Sequence, residues 1–299
     1  MSTTSVMPRT AARSSQLVAA SSRTTLDPFL EVDWSLPIDD SAFHLPPELL
    51  PLFGTAQWHA MTLNEQIAYS RHETAAMFGA GIWFENALMQ LVLRHLVEIP
   101  VTDPSHRYLL IEVADECRHS TMFGEYIRRA GTPTYGPRIR FDLPNASDAD
   151  RVLSYLLILA VEELLDHANR ATMHDLRLHP VSRQIAKVHV LEEARHVNFA
   201  KTFLGELWPM LDDQNRATVI SSAAPLVAEV VRLNLDPHLY DHLGIEDGLA
   251  AAEANPNHRA TVRSSLSKLT GFLAEIGIVN DDVRSEWASL GLIEVRVGC

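Results

Sequence analysis

The chain has 299 residues, 46% of them apolar, which is enough for a sizeable core and argues against global disorder. Its formal net charge of −13 argues against a nucleic-acid partner, because an acidic surface repels phosphate backbones. No apolar run approaches the ~20 residues of a membrane span. Two cysteines, Cys117 and Cys299, are too few for a disulfide framework, so we expect a cytoplasmic protein.

The chain begins with a segment rich in Ser, Thr, Ala and Arg. We expect residues 1–40 to form a flexible tail and residues 41–299 to form a single helical domain. The first long helix is predicted to follow a Thr-x-x-Glu capping box at Thr62 and Glu65.

Four long helices are predicted, at about 62–98, 103–130, 147–179 and 182–207. Gly79 and Gly81 interrupt the first of them, where we expect a kink. Shorter helices are predicted at about 213–234, 258–275 and 281–289. No segment shows strand alternation. Each long helix would span about 40–50 Å, so the predicted fold class is all-α, a four-helix bundle with additional C-terminal helices.

Two pentapeptides on these helices carry metal-ligand residue types. The first, from Asp115 to His119, reads Asp-Glu-Cys-Arg-His; the second, from Glu192 to His196, reads Glu-Glu-Ala-Arg-His. Both contain Glu-x-x-His. Residues three apart share one helix face, so each helix can present a carboxylate and an imidazole to one point.

The spacing of the glutamates reveals an internal repeat. Glu85 precedes Glu116 by 31 residues (116 − 85). Glu162 precedes Glu193 by the same 31 residues (193 − 162). The halves are offset by 77 residues (162 − 85), as expected for two similar helical hairpins. Packed together, they would bring four glutamates and two histidines to the centre, the ligand set of di-iron and di-manganese bundles. Glu163, next to Glu162, is the alternative ligand.

A third histidine lies on the same helix stripe as the second motif. His189 precedes Glu193 by four residues and His196 by seven, so it points at the same metals. The alternative is a core histidine hydrogen-bonded to a neighbour. Its repeat counterpart is Glu112, which we expect either to line the site or to hold a ligand in place.

Acidic residues beside the motifs are candidates to hold the ligand histidines. Asp115 and Glu192 are such candidates, as is Asp166, one turn after Glu162. Metal-bound histidine usually gives its other N–H to a carboxylate or a carbonyl. Mixed oxygen and nitrogen donors suit iron or manganese better than calcium.

At these motifs the sequence resembles the p-aminobenzoate N-oxygenase family of ferritin-like di-iron enzymes. The resemblance rests on Asp-Glu-Cys-Arg-His-Ser (115–120) and His-Val-Leu-Glu-Glu-Ala-Arg-His-Val (189–197), and it covers roughly residues 60–210. The histidine at His189 is the family-specific feature. The resemblance implies that Glu116 and Glu193 bridge two irons, with manganese as an alternative metal. The implied ligand set is Glu85, Glu116, His119, Glu162, His189, Glu193 and His196.

The resemblance also implies a reaction. Reduced iron would take O2 to a peroxo species, which oxidises an aryl or other small amine through hydroxylamine and nitroso stages to a nitro group. It further implies a homodimer in natural-product biosynthesis, such as that of antibiotics, with a ferredoxin or reductase as electron donor. A di-iron hydroxylase or desaturase acting on carbon is the alternative, and a ferritin-like ferroxidase is a weaker one. A radical-generating reductase subunit would carry tyrosine where this chain has Phe123.

Overall fold

The computed structural model describes residues 7–138 and 147–294. Three parts of the sequence interpretation lie outside these residues. They are residues 1–6 of the expected tail, residues 139–146 of the connection before the third long helix, and Cys299.

The described residues form helices and no strand, apart from one isolated bridge between Phe43 and Leu178. The helices are α1 (Pro8–Ser21), α2 (Pro28–Glu31), α3 (Ala56–Ala60), α4 (Leu63–Leu96), α5 (Pro104–Ala130), α6 (Asp148–His174), α7 (Pro180–Leu207), α8 (Asp213–Leu233), α9 (Pro237–Leu243), α10 (Gly248–Ala254), α11 (Pro256–Ser265), α12 (Ser267–Glu275) and α13 (Arg284–Ser289). The all-α prediction is confirmed.

The four long helices pack as two hairpins. α4 packs along α5 and α6 along α7, while contacts between α5 and α7 and between α4 and α6 close the bundle. α8, α11 and α12 cover α6, and α9 contacts α4. The predicted four-helix bundle with additional C-terminal helices is therefore confirmed.

Local capping explains where most long helices begin and end. The Thr62 hydroxyl accepts from the backbone N–H of the third helical residue of α4, as the capping box predicted. Asp103 caps α5, and Gly131 ends it in the left-handed conformation with a φ of 64°. The third long helix ends at His174 rather than near residue 179, because the next helix already starts with Pro180 in its first turn.

Gly79 and Gly81 do not interrupt α4, which runs through both as one helix. A Cβ atom on Gly79 would lie 2.3 Å from the carbonyl oxygen of Tyr135, and one on Gly81 would lie 3.2 Å from the Phe123 ring. Gly81 therefore allows α5 to approach α4 closely, and Gly79 allows the same for the loop after α5, which contains Tyr135.

The N-terminal segment differs from the expected flexible tail. α1 packs against α5 and α7, and the Glu206 carboxylate accepts from the backbone N–H (2.7 Å) and hydroxyl (2.7 Å) of Thr10. The buried residues of α1 are Thr10, Ser14, Leu17 and Ser21. This stripe has helical spacing but is mostly small and polar, so a search for apolar periodicity misses it.

Two apolar clusters divide the bundle along its length. One cluster contains Phe84 of α4 and Leu109 of α5, and the other contains Phe78 of α4 and Met122 of α5. α7 divides in the same way. The motif residues of α5 and α7 lie between the two clusters, whereas Glu85 on α4 lies among residues of the cluster that contains Phe84.

Two stretches, Leu63–Leu96 and Asp213–Leu243, reach a mean hydropathy of 1.3 over a length that could cross a membrane. This is weak evidence for a span, because the core helix of a soluble protein meets the same criteria. Burial in the bundle accounts for the hydropathy of α4.

Candidate metal centre

All seven predicted ligands meet inside the bundle, at 0–1% exposure. α4 contributes one carboxylate, α5 a carboxylate and an imidazole, α6 one carboxylate, and α7 two imidazoles and a carboxylate. Their donor atoms form three overlapping groups, in each of which every atom lies within 4.8 Å of the others. These groups are Glu85, His119, His189 and Glu193; Glu116, Glu193 and His196; and Glu85, Glu116 and Glu162.

The motif residues form a nearly two-fold arrangement at the centre. His119 Nδ1 lies 2.9 Å from Glu116 Oε2 and 3.1 Å from Glu193 Oε1. His196 Nδ1 lies 3.0 Å from Glu193 Oε2 and 2.9 Å from Glu116 Oε1. Each glutamate thus directs one oxygen toward each histidine, an arrangement in which a carboxylate can bridge two cations.

His189 lies slightly further from the carboxylates. Its Nε2 is 3.8 Å from Glu85 Oε1 and 3.7 Å from Glu193 Oε1. The ring therefore faces the cluster, as its helical spacing indicated. Burial lowers the pKa of His189 to about 4, so its ring is neutral near pH 7 and has one nitrogen with a free lone pair.

The outward nitrogens of the two motif histidines contact acids of the opposite hairpin. His119 Nε2 lies 3.0 Å from Glu192 Oε2, and His196 Nε2 lies 3.2 Å from Asp115 Oδ2. A carboxylate in this place accepts the Nε2 proton and leaves Nδ1 free for a metal. Asp115 and Glu192 thus have the geometry expected of acids that hold the ligands.

Two arginines and the N-terminal segment neutralise these outer acids. Arg118 is hydrogen-bonded to Asp115 and lies 3.3 Å from Glu192. Arg195 lies 3.3 Å from Asp115 and 3.5 Å from Glu192. The backbone N–H of Leu26 donates to Glu192 at 3.2 Å. Each acid is therefore shared between a histidine and two cations.

Two further acids lie apart from this pattern. Glu163 forms an ion pair with Lys201 at 2.7 Å, so the carboxylate of α6 within the cluster belongs to Glu162. Asp166 accepts from Arg170 at 2.7 Å and from Lys268 at 3.3 Å. Both contacts involve Oδ2 of the buried Asp166, and its expected role in holding a ligand stays a prediction.

Glu112 is buried on the cluster-facing side of α5. Burial is the main reason that its pKa rises to about 8, although His196 opposes the rise. Its Oε2 has no hydrogen-bond partner among the described residues. This placement agrees with the expectation of a lining residue.

Sequence reasoning missed Asn169, which lies on α6 seven residues after Glu162. Its side-chain nitrogen lies 3.1 Å from His189 Nδ1. The two-turn spacing from Glu162 was the available signal, but the first half of the repeat has Val92 at the matching position (169 − 77).

The cluster carries a strong excess of negative potential. Burial, reinforced by neighbouring carboxylates, raises the pKa values of Glu85 and Glu162 well above the usual range. Burial alone would lower the pKa values of His119 and His196, but nearby carboxylates outweigh it and raise both. Protons thus take the place that divalent cations would fill, and metal binding would release them.

Unpaired polar atoms test whether these residues fit metal ions. Several buried cluster atoms have no hydrogen-bond partner among the described residues, namely Glu85 Oε1 and Oε2, Glu162 Oε1 and Oε2, and His189 Nε2. Such atoms are costly to bury, and cations would satisfy them. The donor set therefore fits a pair of metal ions.

A family model described as P-aminobenzoate N-oxygenase AurF matches residues 8–277. The chain belongs to this family. The match spans α1 and all four helices that carry the cluster. Membership in the AurF family and the buried donor set together support a di-iron site.

Solved structures support the fold. The chain aligns with a variant R2-like ligand-binding oxidase that has an aerobically reconstituted Mn/Fe cofactor, with a TM-score of 0.57. The alignment covers 90% of this chain and 94% of that chain, at 13% sequence identity. At this identity the likeness shows the ferritin-like fold alone.

Curated relatives include uncharacterized proteins of Mycobacterium bovis and Mycobacterium tuberculosis. They are 29% identical over 210 residues, which is 67% of this chain. The matched region spans 62% of the length of these relatives.

Proposed function

We propose that this protein is a di-iron oxygenase that N-oxygenates a small amine, with an arylamine as the first candidate. One observation carries the proposal. A buried cluster of four carboxylates and two Glu-x-x-His imidazoles is joined by a third imidazole, His189, in a member of the AurF family. Formation of a nitro product, a biosynthetic role, a homodimer and a cytoplasmic location stay predictions.

In the proposed site, Glu85, His119 and His189 would hold one ion, and Glu162 and His196 would hold the other. Glu116 and Glu193 would be shared by both ions. When bound, the metal pair supplies the electrons for O2 activation. The grouping of Glu85, His119 and His189 supports their assignment to one ion, and the central two-fold arrangement supports a shared role for Glu116 and Glu193.

The protein's own groups prepare the site. Asp115 and Glu192 keep the Nε2 protons of His196 and His119 turned outward, so both Nδ1 lone pairs face the centre. Arg118 and Arg195 prevent the outer acids from adding uncompensated charge. The surrounding apolar clusters exclude water, which strengthens electrostatic interactions within the site.

A narrow apolar crevice between α4 and α6 leads to Glu162. Its cavity volume is about 10 Å³, room for about one water molecule. It is lined by Phe84, Leu88, Leu91, Leu157, Ile158, Val161 and Glu162. Glu162 is the only charged group among these lining residues. An aromatic ring would enter only if these side chains moved apart, and it would then bring an attached amine to Glu162.

The same crevice favours a second candidate function, oxidation of carbon. Its lining offers no polar group other than Glu162 to orient an amine, so its apolar walls suit an unsubstituted hydrocarbon equally well. A di-iron hydroxylase or desaturase therefore remains the alternative.

The test is a single-turnover reaction of iron-reconstituted, chemically reduced protein with ¹⁸O2. This design needs no ferredoxin or reductase. One set of reactions contains arylamines, and the matched set contains the same rings with methyl or ethyl in place of the amine. We expect about two irons per chain and transfer of ¹⁸O to nitrogen, measured by mass spectrometry.

His189→Ala serves as the specificity control. It should reduce N-oxygenation far more than thermal stability, because the proposal gives the third histidine a role in the reaction. Label on carbon alone, or dehydrogenation of the ethyl group, would replace the N-oxygenase proposal with the alternative. Iron oxidation and storage without any labelled product would favour a ferroxidase.

A further inference from the structure

The three cluster histidines differ in what holds their outward nitrogens. For His119 and His196 the partner is a carboxylate, Glu192 or Asp115. For His189 it is the neutral side-chain amide of Asn169, at 3.1 Å from Nδ1. A carboxylate can only accept a proton from imidazole, whereas an amide can either donate or accept.

The hydrogen bond of Asn169 determines which nitrogen of His189 carries the proton. The amide nitrogen faces Nδ1, so Nδ1 accepts, and a neutral ring then carries its proton on Nε2. Nε2 is the atom directed at Glu85 and Glu193. In this tautomer Nε2 has no lone pair for a metal.

Rotation of the Asn169 amide by about 180° would exchange which nitrogen of His189 carries the proton. The Asn169 oxygen would accept a proton from Nδ1, and the lone pair of Nε2 would face the metals. The terminal torsion of asparagine is broad, so such a turn is easy sterically. Both side chains are almost fully buried, which leaves bulk water unable to replace Asn169 as a partner.

We infer that Asn169 is a positioning residue that sets the tautomer of His189 and thereby decides whether Nε2 binds a metal ion. This inference rests on the proposed metal site. His119 and His196 are held permanently in the ligand tautomer by their carboxylates, whereas His189 can be released when the amide turns. Asn169 therefore makes one ligand of seven switchable.

The test measures Co2+ affinity of metal-free protein by its visible absorption, a readout independent of turnover. Asn169→Leu should weaken binding of one of the two ions about 10–100-fold, the usual effect of removing such a partner. Asn169→Asp should bind that ion at least as tightly as wild type, because its carboxylate enforces the ligand tautomer. Asn255→Leu is the matched control, since Asn255 is also buried but bonds to the backbone of Pro51 and Phe53.

A double-variant cycle separates this role from a structural one. In a His189→Ala background, Asn169→Leu should cause no further loss of Co2+ affinity. The inference is overturned if Asn169→Leu retains wild-type affinity, if it loses as much in the His189→Ala background, or if Asn169→Asp weakens binding as leucine does. Failure of the wild-type protein to bind Co2+ would instead overturn the proposed metal site itself.

Discussion

Two adjacent acids on α6 give the sharpest test of the metal centre. Glu162 lies in the cluster, and Glu163 pairs with Lys201, so Glu162→Gln and Glu163→Gln are matched substitutions with different expected results. At 100 times the dissociation constant, each bound ion adds about 2.7 kcal/mol to the free energy of unfolding. Two ions add about 5 kcal/mol, or roughly 10–20 °C in melting temperature. Glu162→Gln should lose about half of this gain, and Glu163→Gln should keep it.

The metal-free proteins should differ in the opposite direction. Burial, and then Glu193 and Glu85, raise the pKa of Glu162, so the folded state holds a proton that the unfolded state releases. This contribution to stability is fully present below the pKa of Glu162 in the unfolded state. It is lost as pH rises through the raised pKa of Glu162 in the folded state. Glutamine stays neutral, so metal-free Glu162→Gln should be more stable than wild type at high pH. Glu163→Gln only loses an ion pair and should be no more stable than wild type.

Differential scanning fluorimetry with and without Fe2+ or Mn2+, under anaerobic conditions and at several pH values, measures both effects. Equal metal-dependent shifts in the two variants would refute the role of Glu162. Loss of the shift in Glu163→Gln alone would show that the neighbouring acid is the ligand.

Two further predictions concern the fold. Burial raises the pKa of Glu73 to about 7, although hydrogen bonds from Tyr69 and Tyr240 oppose the rise, so its contribution to stability is lost as pH rises from the unfolded value of 4.5 through 7. In urea titrations Glu73→Gln should therefore flatten this pH dependence. At pH 8 its free energy of unfolding should exceed that of wild type by up to about 3 kcal/mol. An unchanged dependence of the free energy of unfolding on pH would contradict the raised pKa of Glu73. Gly79→Ala should cost about 1–3 kcal/mol, because its Cβ would lie 2.3 Å from the Tyr135 carbonyl oxygen, whereas Gly124→Ala, with nothing within 4 Å of its Cβ, should be neutral or stabilising.

The sequence predicted the C-terminal helices less completely than the four helices of the bundle. The expected helix over 258–275 is two helices, α11 and α12, separated at Leu266, and α9 and α10 were not predicted. These helices are short, and tertiary packing rather than a long apolar stripe stabilises them. The cluster-bearing helices were easier, because each is long and begins or ends at a strong local signal.

The sequence by itself determined the helical class, the duplicated hairpins and the seven candidate donors, because a helix converts spacing in the chain into a shared face. Only the tertiary structure decided which of two adjacent carboxylates, Glu162 or Glu163, enters the cluster, that Asp166 pairs with Arg170 and Lys268, and that Asn169 contacts His189. It also decided that α1 packs on the bundle through a mostly polar stripe. These outcomes depend on how each helix is rotated against its neighbours and on partners far apart in the chain, which local periodicity does not record.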